Sequence, residues 1–274
     1  MSSLLKEAVI LAAGFGNRLS DYTGGKSKLL IPIDEIPLIL YPTYTLYLAG
    51  VRKICYIVNR WNRIDIMKTL ARFDGADTCF IINDKPEKGN GYSFLLCKKC
   101  VKSESFILSM ADHIYHLSII RKLARAAKNK FDIIIGGDSE PKYIEISEAT
   151  KIMFDGDNVV RIGKKLKKFT HVDIGVFVIK KKILEEFKFS RIRKLEFTDI
   201  IKHAVNNGYN VKLIDVNGAY WTEVDTINDI EEIEYGRRRE VIDNVLSVFY
   251  EKLPFHNEIL RNPLLKKFKH VKWE

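Results

Sequence analysis

A glycine-rich stretch close to the N-terminus has the residue types that bind phosphate. Gly14 and Gly16 are separated by one residue, they follow an apolar segment typical of a β-strand, and Arg18 comes two residues later. Glycines let the backbone turn tightly and present N–H groups to phosphate oxygens, and a guanidinium can donate two hydrogen bonds to the same group. We therefore predict a phosphate-binding loop that comprises Leu11, Ala12, Ala13, Gly14, Phe15, Gly16 and Arg18.

Two common phosphate-binding motifs do not fit this part of the chain. The third glycine of a dinucleotide-binding fingerprint would fall at position 19, which is a leucine. The first glycine of a P-loop ending in Gly25, Lys26 and Ser27 would fall at position 20, which is a serine. A glycine turn that binds no ligand is the remaining alternative for the loop taken alone. On the segment that follows, Lys26 and Lys28 are both candidates to neutralise bound phosphates.

Two aspartates lie where a doubly wound fold binds its ligands. Asp112 ends an apolar, strand-like segment, and Asp225 comes just before a predicted helix whose N-cap is Thr226. Mg²⁺ in proteins commonly takes one or two carboxylates together with phosphate oxygens of the substrate. As isolated residues, aspartates are more often caps or turn residues, so the pattern alone leaves both roles open.

The elements that must position these residues alternate between strand-length apolar segments and stretches of helical period. This alternation predicts an α/β fold with a doubly wound, mainly parallel sheet. The predicted strands are 7–13, 53–59, 78–84, 105–112 and 131–136, and the predicted helices are 38–50, 63–73, 91–102 and 117–130.

After Pro141 the pattern changes to shorter strand-like pieces, which predict a small β-rich subregion over about 141–194. Strands are expected at 142–153, 159–163 and 172–179, with a turn at 155–158, and helices at 195–207 and from 226 onward. We predict one domain over 1–234 and a C-terminal helical tail over 235–274. The tail is expected to form a long helix to about Leu253, followed by a break at Pro254 and a short basic end.

Composition restricts the class of protein. Forty-six per cent hydrophobic and 29% charged residues are typical of a globular chain, and no apolar run approaches the ~18 residues of a membrane-spanning helix. The N-terminus lacks an export signal, and four cysteines are too few for a disulfide scaffold, so we expect a cytoplasmic protein with no membrane insertion.

The net charge of +10 favours an anionic partner, either a nucleic acid or a smaller phosphorylated ligand. Residues 161–194 hold twelve basic side chains against three acidic ones.

The run from Leu11 to Leu19, with a lysine about ten residues later, resembles the signature of the nucleoside-triphosphate transferases. These enzymes join a nucleotide to a phosphorylated sugar or alcohol. The resemblance implies a Rossmann-like nucleotidyltransferase fold, catalytic roles for Arg18 and Lys28, and Mg²⁺ held by Asp112 and Asp225. The family's lysine usually follows a proline; Ser27 stands there in this chain, which keeps Lys26 as a competitor.

The stretches 83–93, 109–115, 140–143, 162–166 and 173–177 narrow the resemblance to CTP:inositol-1-phosphate cytidylyltransferases, over about residues 7–233. It implies CTP and a phosphorylated polyol, myo-inositol 1-phosphate, as substrates, and CDP-inositol and pyrophosphate as products. The base of the nucleotide is expected near Asn83, Gly89 and Gly91. The acceptor is expected at Lys164, Lys165, Asp173 and Gly175, with Asp138, Glu145 and Glu223 as candidates to bind its hydroxyls. A homodimer with part of the tail in its interface is a hypothesis.

Other functions stay open on the sequence alone. The acceptor could be another phosphorylated alcohol or sugar, such as choline phosphate or a sugar 1-phosphate. A basic RNA-binding protein is the alternative from a different class, although no nucleic-acid motif is present and we expect no nucleic-acid partner. Cys97, Cys100, His113 and His116 almost match a zinc finger, but the last spacing is one residue short, so we predict that the cysteines pack on a helix.

Overall fold

The structure is a computed structural model that describes residues 5–156, 158–187 and 193–253. The strands are β1 (Glu7–Ala12), β2 (Pro32–Ile33), β3 (Ile36–Pro37), β4 (Lys53–Asn59), β5 (Asp77–Asn83), β6 (Ser105–Met110), β7 (His113–Tyr115), β8 (Ile133–Asp138), β9 (Lys151–Phe154), β10 (Val159–Gly163), β11 (His171–Lys180), β12 (Val211–Asp215) and β13 (Trp221–Glu223).

The α-helices are α1 (Ser20–Thr23), α2 (Leu40–Leu48), α3 (Arg63–Leu70), α4 (Asn90–Leu96), α5 (Leu117–Ala126), α6 (Lys182–Glu186), α7 (Phe197–Asn206), α8 (Ile227–Glu234) and α9 (Arg239–Lys252). Short 3-10 helices cover Asn17–Leu19, Lys28–Leu30, Pro86–Lys88 and Cys97–Lys99. No helix among the described residues is both long enough and apolar enough to span a membrane.

One large sheet of nine strands organises the described part of the chain. Its order is β10, β9, β11, β6, β1, β4, β5, and β8 pairs with β11 and with β12. The strands β6, β1, β4 and β5 run parallel, whereas β11 runs antiparallel to both β6 and β8. The predicted doubly wound, mainly parallel sheet is confirmed. The predicted β-rich pieces β9 and β10 form an extension of this same sheet.

The central strand β1 is buried on both faces, which explains its unbroken apolar sequence. Ala8, Ile10 and Ala12 pack into one hydrophobic cluster, and the alternate residues Val9 and Leu11 pack into the other. Helix α9 belongs to the first cluster: Phe249 contacts the rings of Tyr41 and Tyr44, with ring centroids 5.9 and 5.5 Å apart. The segment 235–253 therefore packs against the same core as the sheet.

Several predicted boundaries shift. The segment predicted as a strand over 142–153 is extended only at Lys151–Phe154, because the backbone N–H of Glu148 and the side chain of Glu145 form local turn hydrogen bonds before it. The helix predicted over 91–102 is α-helical only to Leu96 and then tightens into a 3-10 turn. The tail helix begins at Arg239 rather than 235. The predicted break at Pro254 and the basic end lie outside the described residues.

Candidate active site

Lys28, Asp112 and Asp225 meet at the carboxyl end of the sheet. The ammonium of Lys28 lies 2.6 Å from Asp112 Oδ2 and 2.5 Å from Asp225 Oδ1, and it also donates to the carbonyl oxygen of Val224 at 3.0 Å. Lys28 is 8% exposed. Burial by itself lowers the pKa of Lys28, but the two carboxylates outweigh burial and hold that pKa above the ordinary lysine value. The two carboxylates therefore converge on one cation.

The glycine loop closes over the stem of this lysine. Gly16 has a left-handed φ of 67°, and a Cβ atom placed there would lie 3.0 Å from Lys28 Cγ. A glycine at this position therefore both forms the turn and leaves room for the lysine side chain. In contrast, Lys26 is exposed and lines a separate groove together with Tyr22 and Glu234. Of the two lysines that the sequence offered, Lys28 is the one that lies between the aspartates.

Helix α8 positions Asp225. Thr226 is its N-cap, as predicted: the Thr226 hydroxyl accepts from the N–H of Asp229, and Asp229 Oδ2 accepts from the N–H of Thr226 and of Asp225. The other Asp229 oxygen accepts a hydrogen bond from Arg238 at 2.5 Å, in a pair whose side chains are less than 10% exposed. This capping box holds Asp225 at the start of the helix. Sequence reasoning missed Asp229 and Arg238.

Two buried asparagines support the start of the glycine loop. Asn59 Nδ2 donates to the carbonyl oxygen of Ala13 at 3.0 Å, and Asn62 Nδ2 donates to that of Ala12 at 2.8 Å. The two asparagines also bond to each other's backbone, so the loop is fixed by a closed polar network. Asn59 ends β4 next to the loop, a strand-end position that could have been noticed in the sequence.

A cavity of about 160 Å³ lies between this loop and the start of α4. It is lined by Leu11, Ala12, Ala13, Gly14, Lys28, Leu29, Pro86, Gly89, Asn90, Ser93, Met110, Ala111 and Asp112. Four of the predicted loop residues, from Leu11 to Gly14, are therefore brought to one cavity with Lys28. Phe15 is half exposed and packs against the Trp61 ring, with the ring centroids 5.4 Å apart, and does not line the cavity.

The residues predicted near the base have other local roles. Asn83 is fully buried; its amide donates to Ser93 Oγ, and Ser93 in turn lines the cavity. A Cβ on Gly89 would lie 2.4 Å from the carbonyl oxygen of Leu195, and one on Gly91 would lie 2.7 Å from the backbone of Glu196. These glycines make room for the chain before α7. Gly89 also lines the cavity, whereas Gly91 does not.

A larger cavity of about 490 Å³ adjoins the first one and shares Asn90, Met110 and Asp112 with it. Its lining also includes His113, Glu148, Ala149, Thr150, Lys164, Asp173, Gly175, Lys194, Glu196, Phe197, Thr198, Glu223 and Asp225. Lys164, Asp173 and Gly175 thus lie together as the sequence suggested. Lys165 is exposed and does not line the cavity.

Asp173 faces this cavity because the pairing of β11 with β8 is interrupted. The register shifts between Asp173 and Phe177, and Gly175 has a left-handed φ of 71° in the interruption. A Cβ on Gly175 would lie 2.4 Å from His113 Cδ2, so only glycine fits beside that ring. Burial raises the pKa of Asp173 to about 7, although the N–H of Gly175 and the charge of His113 lower it.

His113 lines the larger cavity next to Asp112, which lines both cavities, and it was not predicted as a site residue. Its Nδ1 lies 2.8 Å from Asp112 Oδ1 and its Nε2 lies 3.4 Å from Glu223, which is its register partner across β7 and β13. Burial lowers the pKa of His113, but Asp112, Glu223 and Asp173 outweigh it and raise the pKa to about 9. Burial raises the pKa of Asp112, but Lys28 and His113 outweigh it and hold that pKa well below its usual range.

The other predicted residues are placed as follows. Arg18 donates to Asp225 and lies 3.7 Å from Glu148, so its guanidinium borders the larger cavity. Asp138 is fully buried and accepts from Trp221 Nε1, and Glu145 accepts from the N–H of Ser147. Of the three acids considered for hydroxyl binding, only Glu223 lines the cavity, among the described residues.

The near match to a zinc finger does not form a metal cluster in the described chain. Cys97 and Cys100 are buried, but they lie in and just after the 3-10 turn that follows α4 rather than on that helix, and His113 contacts Asp112 instead. The donor set that suits a magnesium ion is the pair of Asp112 and Asp225. Their carboxylate oxygens already approach a single cationic atom, and hard oxygen ligands are those that Mg²⁺ prefers.

A doubly wound sheet, a glycine loop after its first strand and convergent carboxylates at the strand ends are typical of α/β proteins that bind phosphorylated ligands. Comparison with known proteins specifies the group within this class. The chain belongs to the family described as nucleotidyl transferase, whose model matches residues 7–239.

Curated relatives carry the name "Bifunctional IPC transferase and DIPP synthase". The one from Archaeoglobus fulgidus is 35% identical over 227 residues, which are 82% of this chain and 42% of that protein. The one from Thermococcus kodakarensis is 34% identical and covers 85% of this chain and 50% of that protein. The chain therefore spans about half the length of the curated relatives that it matches.

The solved structure of the inositol-1-phosphate CTP transferase from T. maritima superimposes with a TM-score of 0.81 at 30% identity. The superposition covers 89% of this chain and 98% of the T. maritima chain. The nucleotidyltransferase fold that the sequence predicted is confirmed by this match, and so is the family.

Proposed function

We propose that this chain transfers a cytidylyl group from CTP to myo-inositol 1-phosphate, giving CDP-inositol and pyrophosphate. The observation that carries the proposal is the cluster of Lys28, Asp112 and Asp225 at the junction of two adjoining cavities. Such a junction suits two phosphorylated substrates that react with each other. The names of the relatives support CTP and inositol phosphate as the particular pair.

In this mechanism CTP occupies the smaller cavity with its phosphates toward the glycine loop, Arg18 and Lys28. The acceptor occupies the larger cavity, its phosphate near Lys164 and its hydroxyls near Asp173 and Glu223. An oxygen of the acceptor phosphate attacks the α-phosphorus of CTP, a new P–O–P bond forms, and the bond to the β-phosphate breaks so that pyrophosphate leaves. The second pKa of a phosphomonoester is about 6, so no general base is needed at neutral pH.

The chain's own residues supply position and positive charge. Asp112 and Asp225 would hold Mg²⁺, which would neutralise phosphate charge when bound. The three N–H donors of the Lys28 ammonium bond to Asp112, Asp225 and the carbonyl oxygen of Val224, so the lysine must exchange at least one of these bonds to bind a phosphate oxygen. His113 carries a proton at neutral pH because its pKa is about 9, and it offsets the charge of Asp112 and Glu223.

The test is pyrophosphate release in the presence of CTP and Mg²⁺, with a panel of phosphorylated acceptors that starts with myo-inositol 1-phosphate. The panel includes choline phosphate and sugar 1-phosphates, and parallel reactions replace CTP by the other triphosphates. We expect release only with CTP and inositol 1-phosphate. Release that requires another acceptor would contradict the proposed substrate while leaving the nucleotidyl transfer intact.

An Asp112→Asn, Asp225→Asn double variant tests the metal site, with Asp74→Asn as control. Asp74 is exposed and lines neither cavity. We expect the double variant to lose activity at all Mg²⁺ concentrations and the control to retain it. Full activity in a folded double variant would contradict the assignment of both aspartates.

A further inference from the structure

Three cysteines form a cluster away from the candidate active site. Cys55 lies on β4, Cys79 is its register partner on the parallel strand β5, and Cys100 follows the 3-10 turn after α4. Their sulfur atoms all lie within 4.8 Å of one another. Cys55 and Cys79 are each two residues from the start of their strands, whereas the glycine loop and Asp112 lie at the carboxyl ends. The cluster is therefore at the other end of the sheet.

The spacing of the three sulfurs is close to that of a metal site. Thiolates bind Zn²⁺ at about 2.3 Å, so three of them around one ion lie about 4 Å apart. Contraction of the cluster from at most 4.8 Å to this spacing requires shifts of less than an ångström at each sulfur. Such shifts are small compared with side-chain rotamer changes. The three thiols come from separate elements, so their convergence is produced by the tertiary fold.

The charges around the cluster favour a divalent ion. Three thiolates and Zn²⁺ leave one negative charge, while a monovalent ion would leave two. The Lys53 ammonium lies on the same face of β4, two residues before Cys55, and donates to the carbonyl oxygen of Cys100 at 2.9 Å. Both oxygens of Glu7 are engaged, by Lys53 and by the N–H groups of Lys102 and Ser103, so Glu7 is not a fourth ligand.

Access to the cluster is from the edge strand β5. Cys79 is partly exposed, whereas Cys55 and Cys100 are buried. A water molecule that enters beside Cys79 can supply an oxygen as the fourth ligand, next to the three sulfurs, that a tetrahedral zinc site needs.

We propose that Cys55, Cys79 and Cys100 form a binding site for a thiophilic divalent cation, Zn²⁺. Binding releases the thiol protons and ties the edge strand β5 to β4 and to the chain after α4. The site is independent of the proposed transferase reaction, and it uses none of the residues assigned to that reaction. Its test therefore does not depend on activity.

The experiment is a titration of the reduced full chain with Zn²⁺ under anaerobic conditions, against a chromophoric chelator. Titration with Co²⁺ runs in parallel, because sulfur-to-cobalt charge-transfer absorption separates thiolate ligands from the carboxylates of Asp112 and Asp225. We expect one equivalent to bind with that absorption. The variant is Cys79→Ser, since Cys79 is the least buried of the three, and Cys97→Ala is the control because Cys97 lies outside the cluster.

Loss of one ligand should weaken binding by about 100-fold or more, since even changes outside the first ligand sphere cost about 10- to 100-fold. We expect that loss in Cys79→Ser and an affinity close to the wild type in Cys97→Ala. A Cys79→Ala variant replaces the serine variant if the latter does not fold. The proposal is overturned if the wild type shows no charge-transfer absorption, or if Cys79→Ser binds equally well. Formation of a disulfide within the cluster in a protein that binds no Zn²⁺ would also overturn it.

Discussion

Replacement of Lys28 by methionine tests the centre of the proposed site most directly. The substitution keeps an unbranched side chain, one atom shorter than lysine, and removes the charge that Asp112 and Asp225 share at 2.6 and 2.5 Å. Loss of one preorganised charge-stabilising donor costs about 10²–10³ in kcat, or about 3–4 kcal/mol in the barrier. We expect Lys28→Met to lose at least 100-fold in turnover. Lys26→Met is the matched control, because Lys26 is exposed and lines a different groove.

The same variant should lose stability in a manner that depends on Mg²⁺. Removal of one partner from a buried ion pair costs about 3–5 kcal/mol. We expect the lower end here, because the side chains of Asp112 and Asp225 retain 25% and 22% exposure. Added Mg²⁺ should recover part of this loss by occupying the place between the two carboxylates, and thermal unfolding with and without Mg²⁺ measures the effect. Near-normal turnover in Lys28→Met, together with a slow Lys26→Met, would refute the argument.

Three further changes test the larger cavity. Lys164→Ala should raise KM for the acceptor about tenfold, the scale of one hydrogen bond to a charged group, while Lys165→Ala should leave KM unchanged. Equal effects of the two substitutions in steady-state kinetics would contradict the assignment of this cavity as the acceptor site. Because burial raises the pKa of Asp173 to about 7 from an unfolded value near 4, the folded state binds more protons between these pH values. The free energy of unfolding should therefore fall as pH rises through this range, by up to about 4 kcal/mol. Asp173→Asn should reduce this fall in the free energy of unfolding. Denaturant titrations at pH 4 and 8 that show the same fall in the variant as in the wild type would contradict the prediction. Gly175→Ala should lower the free energy of unfolding by more than the ~1–2 kcal/mol that backbone strain costs in Gly156→Ala. The reason is that a Cβ at Gly175 would lie 2.4 Å from His113, whereas nothing lies within 4 Å of a Cβ at Gly156. Urea unfolding midpoints compare the two variants. Equal losses of stability would mean that the His113 ring moves aside at little cost, which would contradict the prediction.

Local sequence patterns were sufficient to predict the order of most elements. Strand β4 and the Thr226 cap were predicted at their observed positions because apolar runs and capping residues act over a few neighbouring residues. The segment 142–153 was mispredicted because Glu145 and Ser147 form local turn hydrogen bonds that compete with a strand. Helix α9 packs against Tyr41 and Tyr44, far away in the chain, which no local pattern could indicate.

The candidate site divides in the same way. The glycine loop and the two aspartates were identified from residue type and position at strand ends, because such positions recur wherever parallel strands end. The choice of Lys28 over Lys26 required the fold, since Lys28 and Asp225 are 197 residues apart. The roles of His113, Glu223 and Arg238, and the meeting of three cysteines, likewise depend on which strands and helices become neighbours. The linear order of residues carries the local geometry of each element, and the packing of the sheet decides which charged and nucleophilic groups share one environment.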